Sequence, residues 1–243
     1  MWKQVAYTNF GDVGKLVTPV DCKSAARKAL LVRLQSSPPS INIDMFNIIE
    51  DCSPFYIRFT FIGIENFISL VKSLSPECFN KKNKIGYIHS DVIECEAETI
   101  LKKLTLTQKF EFIKHRVGIF DTLPYGGCGI HKDGWNRKVS FNIPIEIHNE
   151  LCITKWYDDS LFENMEVKGL PYSRNVFRDF TKMQSFPHSK EMIAKMGEAI
   201  IFNTDIYHSF DNTKSSDWRR VLTLRLVDDN ISFQQAKEIL FPV

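Results

Sequence analysis

His131 and Asp133 stand two residues apart in the run Gly129-Ile130-His131-Lys132-Asp133-Gly134. In an extended strand, residues i and i+2 point to one face, so this imidazole and carboxylate can grip the same metal ion. Downstream, a glycine turn and an apolar strand, Gly197 to Tyr207, lead to a second histidine, His208, at the polar end. Two histidines and one carboxylate on one face of an ion, with the opposite positions open, are the ligand set of non-haem Fe(II) chemistry. A chain with six histidines places one near an acid by chance. The glycines at 126, 127, 129 and 134 set this pair apart, because they allow a tight approach and exit on both sides.

Past the polar loop Ser209 to Thr213, the run Arg219 to Leu226 alternates as a strand does. Arg219, Val221, Thr223 and Arg225 share one face; Arg220, Leu222, Leu224 and Leu226 share the other. Two arginines and a threonine on one side of a core strand predict an anion bound inside the fold.

Together these residues resemble the Fe(II)- and 2-oxoglutarate-dependent dioxygenases, whose pattern is His-x-Asp, a distal His and, further on, an Arg. The similarity runs from about Val117 to about Val227 and rests on His131-Lys132-Asp133-Gly134, Phe141-Asn142-Ile143-Pro144-Ile145, Gly197 to His208 and Arg219 to Arg225. The resemblance implies Fe(II) held by His131, Asp133 and His208, and 2-oxoglutarate whose far carboxylate meets an arginine of the last strand. Arg219 is the first candidate, since it shares a face with Thr223, a second donor to the same carboxylate. A guanidinium fork fits a carboxylate two-pronged. A register error of one residue would substitute Arg220. Arg225 is expected deeper, near the other end of the cosubstrate or at the substrate. Asn142 is a further cosubstrate contact and Arg137 a rim residue, each with a structural role as the favoured alternative. The implied reaction consumes dioxygen, releases succinate and carbon dioxide and hydroxylates a substrate. Arg137 to Ile145 and Thr154-Lys155-Trp156-Tyr157 look like the branches that modify amino acids or peptidyl side chains, so an amino acid, a peptide or a small metabolite is the expected substrate. Two rival classes stand beside this one: a jelly-roll binding protein without turnover, and a cupin-like metalloenzyme that does not use 2-oxoglutarate.

Such residues need a rigid β framework. The 243 residues, 44% hydrophobic and 12% aromatic, suffice for a large core in one domain without staples. Asp21 to Leu34, Glu65 to Leu74 and Ala97 to Leu104 read as helices. Phe55 to Ile64, Lys109 to Ile113 and Val117 to Asp121 read as strands, and Ser36 to Ser40 as a loop. Ser232 and Gln235 have the capping-box spacing of a final helix reaching about Leu240. The expected architecture is mainly β with flanking helices, a double-stranded β-helix or cupin-like jelly roll. Helix-rich support is expected over about 1–105, the jelly-roll core over about 109–228 and a C-terminal helix over about 232–241.

Six cysteines without a Cys-x-x-Cys pair predict reduced thiols. Cys128, three residues before His131, is read as a buried thiol in preference to a metal neighbour. A net charge of +2 gives no strong electrostatic case for a nucleic-acid partner, and the short basic clusters at 81–84 and 102–103 read as solvated surface in preference to a phosphate groove. No apolar run approaches the roughly 20 residues that span a bilayer, and no signal-like stretch follows Met1, so no membrane association and a cytoplasmic location are the default expectations. Trp135, Trp156 and Tyr157 are placed beside the mouth of the site, with packing favoured over substrate contact.

Overall fold

The computed structural model describes residues 45–82, 87–133, 137–163, 173–175 and 186–242. Residues 43–243 form one unit, to which everything below belongs. The helix expected at Asp21–Leu34, the loop at Ser36–Ser40 and Trp135 lie outside the described residues.

The architecture is two facing antiparallel sheets. In chain order the strands are β1 (Phe46–Cys52), β2 (Tyr56–Phe61), β3 (Phe79–Lys82), β4 (Tyr87–Val92), β5 (Gly118–Thr122), β6 (Gly127–Asp133) and β7 (Val139–Ile147). They continue with β8 (Ile153–Trp156), β9 (Ser173–Asn175), β10 (Lys190–Ile193), β11 (Ala199–Asn203), β12 (His208–Asp211) and β13 (Arg219–Leu224). The large sheet has the order β1-β2-β11-β7-β13-β5-β4-β3 and the small one β10-β8-β12-β6-β9. This is the expected mainly-β jelly roll, with helices α1 (Ile64–Lys72), α2 (Glu94–Lys103) and α3 (Phe233–Leu240) beside it.

Alternation along the central strands explains the layering. On β7, Val139, Phe141, Ile143 and Ile145 join the main core with Leu222 and Leu224 of β13. The same core takes Phe67, Ile68 and Val71 of α1, Ala97 and Ile100 of α2, and Phe233 and Ala236 of α3. The opposite face of these strands, with Ser140 and Asn142 on β7 and Arg219, Val221 and Thr223 on β13, turns toward the small sheet and lines a cavity. Pro144 has no N–H to donate in the middle of β7; the pairing with β13 slips there, Arg220 opposing Glu146 and Val221 opposing Pro144. The final helix starts at the expected cap: Gln235 N donates to Ser232 Oγ and Ser232 N to Gln235 Oε1.

Two elements differ from expectation. The run Lys109–Ile113 alternates like a strand and buries Phe110 and Phe112 against Phe141, but its pairing is reduced to a single bridge, Phe112 to Leu226, beyond the end of β13. The stretch below residue 105 holds β1–β4 beside α1 and α2. β1 lacks an apolar rhythm because it is an edge strand with Asn47, Ile48 and Ile49 exposed. Trp156 and Tyr157 are fully buried, as the packing reading has it. Cys52, Cys78, Cys95, Cys128 and Cys152 are free thiols. Among the described residues no helix is long and apolar enough to cross a membrane.

Candidate metal centre

The small sheet brings the two halves of the His-Asp-His set together. His131 and Asp133 end β6 on one face, and His208 opens β12, directly opposite His131 in the antiparallel register. The two imidazole centroids are 4.3 Å apart. Asp133 Oδ1 lies 3.5 Å from His131 Nε2 and 3.9 Å from His208 Nε2, and one donor atom from each residue falls within 4.8 Å of the others. Bonds of about 2.0–2.2 Å to a common ion suit donors at such separations.

Both imidazoles are oriented from behind. His131 Nδ1 lies 2.7 Å from the Gly129 carbonyl and His208 Nδ1 2.8 Å from the Ile206 carbonyl. A carbonyl only accepts, so each Nδ1 carries a proton and each Nε2 is the atom turned to the centre. Burial, followed by the neighbouring His131 charge, lowers the His208 pKa to about 3, which keeps that ring neutral; at His131 burial is outweighed by Cys128 and Asp133, so without an ion that ring holds a second proton, which a bound metal would displace from Nε2. Burial alone would raise the Asp133 carboxyl, but the Arg137 guanidinium and then the two imidazoles outweigh it and hold the group well below the usual carboxylate range. The donor set therefore fits a divalent transition metal, whose binding would leave two neutral imidazoles and one ionised carboxylate, all turned to one side.

Across the cavity, of about 250 Å³, stands the inner face of the large sheet. Arg219 is 3% exposed, its guanidinium stacks 5.1 Å from the Phe210 ring, and its Nε is buried without a hydrogen-bond partner. Burial lowers its pKa, opposed only by Cys152, yet a guanidinium does not give up its proton in proteins. Phe210 lies two residues beyond His208 on β12, about 7 Å along the strand. The buried cation is thus held at one end of the cavity and the metal donors at the other. Thr223 and Asn142 line the same space.

The other arginines of the last strand point elsewhere. Arg220 turns to the far face and forks onto Asp121 at 2.7 and 3.1 Å. Arg225 follows the end of β13, does not line the cavity and forks onto Asp229 at 3.1 and 2.7 Å. Arg137, expected at the rim, reaches inside: its Nη1 pairs with Asp133 Oδ2 at 3.0 Å and its Nη2 donates to Ser140 Oγ and Thr223 Oγ1. Cys128 also lines the cavity, its Sγ 3.7 Å from His131 Nδ1. His89 and Ser140, which nothing in the sequence marks out, complete the wall; their strands' positions in the sheet put them there.

No protein-family model and no curated protein matches the sequence. Among solved structures, HygX from Streptomyces hygroscopicus, crystallised with nickel, 2-oxoglutarate and hygromycin B, is similar over 71% of this chain and 83% of its own, at 8% identity and a TM-score of 0.46. SnoK, a non-haem α-ketoglutarate-dependent carbocyclase from nogalamycin biosynthesis, covers 70% of this chain and 80% of its own at 12% identity and a TM-score of 0.44. The epimerase SnoN, in complex with Fe3+, α-ketoglutarate and nogalamycin RO, covers 70% and 77% at 9% identity and a TM-score of 0.43. These are likenesses of architecture at low identity, and the chemistry of this chain has to be argued from its own residues.

Proposed function

We propose that this chain is an Fe(II)- and 2-oxoglutarate-dependent oxygenase that hydroxylates an amino acid, a peptidyl side chain or a small metabolite. The observation that carries the reading is the pairing, in one cavity, of the His131, Asp133, His208 donor set with a buried guanidinium that lacks a carboxylate partner among the described residues. A buried charge of this kind is costly unless an anion meets it. The space between Arg219 and the donor set suits a short dicarboxylate, one end on the metal and the other on the fork.

The chain's own residues divide the work. His131, Asp133 and His208 hold the ion and leave its opposite positions open. Arg219 takes the far carboxylate, and Asn142 and Thr223 line the path between them. Phe120, Phe202 and Phe210 close the space with apolar surface, excluding bulk water from the reacting centre. When bound, ferrous iron and the oxoacid supply the oxygen activation, coupled to release of succinate and carbon dioxide.

The test is succinate formation by Fe(II)-loaded protein supplied with 2-oxoglutarate and dioxygen, across a panel of amino acids, peptides and small metabolites. Substrate-stimulated succinate supports the reading. Fe(II) binding without 2-oxoglutarate binding points to a cupin-like metalloenzyme instead, and absence of both to a binding protein.

A further inference from the structure

We propose that Arg137 is a positioning residue that limits Asp133 to a single metal-facing oxygen, and so keeps half of the coordination shell free. The inference rests on the metal-centre reading above. A carboxylate can bind an ion through one oxygen or both, and the second mode takes up a position that a reactant needs. Here the two oxygens have separate partners. Oδ1 faces His131 Nε2 and His208 Nε2, while Oδ2 is held 3.0 Å from Arg137 Nη1. Charge-assisted hydrogen bonds are the strong ones, and a carboxylate tied this way resists turning its second oxygen inward.

The guanidinium is itself fixed. Its Nη2 donates to Ser140 Oγ and to Thr223 Oγ1, hydroxyls on the two central strands of the large sheet that lie 3.1 Å from each other. Its backbone is fixed as well. Thr204, buried in the turn between β11 and β12, accepts Asp133 N at its carbonyl, donates its N–H to the Lys138 carbonyl and donates its hydroxyl to the Arg137 carbonyl at 2.7 Å. One residue thereby staples both ends of the connection between β6 and β7, and sets the spacing at which Asp133 and Arg137 meet. The same turn leads into His208, so all the ligand-bearing segments are referred to one point.

Mn(II) is the probe, an octahedral ion whose inner-sphere waters speed proton relaxation of the solvent. Wild-type protein loaded with Mn(II) should carry water on the half of the shell the protein leaves open. Arg137→Met should bind Mn(II) in the same stoichiometry with about a third fewer inner-sphere waters, as the second carboxylate oxygen takes one position. Arg137→Lys keeps the cation against a folding defect and should fall between, since an ammonium cannot hold the carboxylate and both hydroxyls in one plane. A wild-type water count in the folded variants overturns the proposal. Failure of wild-type protein to bind Mn(II) in a manner abolished by His208→Ala would sink the metal-centre reading instead, so the two failures are distinguishable. Loss of metal from both folded Arg137 variants would also overturn it, because it would make Arg137 necessary for binding itself.

Discussion

Arg219→Met separates cosubstrate binding from the stability of the protein. Within the cavity the guanidinium is 3% exposed and its Nε has no partner, so the fold carries a charge whose burial is not compensated among the described residues. An unsatisfied buried polar group costs about 1–3 kcal/mol, and more when it is charged, while the stack of the desolvated cation on Phe210 at 5.1 Å returns about 2 kcal/mol of that. Methionine fills similar length without charge. The variant should therefore be more stable than wild type by about 1 kcal/mol, a rise of roughly 2–4 °C in Tm. Cosubstrate binding should move the other way. Leaving a bound carboxylate opposite a thioether costs about 3–5 kcal/mol, or roughly a hundredfold to several thousandfold in affinity. Anaerobic calorimetric titration of 2-oxoglutarate into Fe(II)-loaded wild type and variant measures the difference, and Arg219→Lys should recover part of it. An affinity within about threefold of wild type in folded, iron-loaded Arg219→Met would refute the assignment of the fork.

His131→Ala, Asp133→Ala and His208→Ala should each lose tight Fe(II) binding by metal analysis after desalting, while His115→Ala and His148→Ala keep it. Arg220→Met should leave 2-oxoglutarate affinity unchanged, since its fork is on Asp121 of the neighbouring strand; because it leaves that buried carboxylate without its main partner, it should cost about 1–3 kcal/mol by chemical denaturation. On the acid side, burial would raise the Glu50 carboxyl, but hydrogen bonds from Cys52 and Arg58 outweigh it and lower the pKa below the usual 4.5. That contribution is complete above pH 4.5 and is lost as pH falls through the folded-state value, so Glu50→Gln should flatten the acid limb of Tm against pH.

That the candidate donors share one site was legible because it depends largely on rules that work over short distances. The i, i+2 spacing of His131 and Asp133 fixes their common face wherever β6 lies. His208 was found as the polar end of an apolar run; in the fold it opens the following strand, and what makes it a neighbour of His131 is the pairing of β12 with β6. Alternation split Arg219 from Arg220 and favoured the Arg219, Thr223 face, but a one-residue slip would have exchanged which face turns inward. That is decided by the small sheet packing on one face of β13 and the helices on the other. The inward reach of Arg137 had no local signature, because it depends on Thr204 closing the connection from another part of the chain. The run Lys109–Ile113 misled for the converse reason: its two phenylalanines obey a strand's period, while its backbone meets a partner at one bridge only.

The carbonyls of Gly129 and Ile206 have a consequence for which metal the protein carries. Because each fixes its imidazole within its own chain segment, the donors are oriented before any ion arrives, and binding adds little order to the fold. Chelation should empty the centre without unfolding the chain, unlike a zinc finger, whose fold is made by its metal. A site that is ready in advance also does little to refuse the wrong ion. Among first-row divalent metals the intrinsic order rises from manganese through iron and cobalt to nickel and copper, so the later metals should bind more tightly than the ferrous ion the proposed chemistry calls for. On the proposed function iron would then hold its place through supply, and the metal recovered with the purified protein should follow the medium in which the cells were grown.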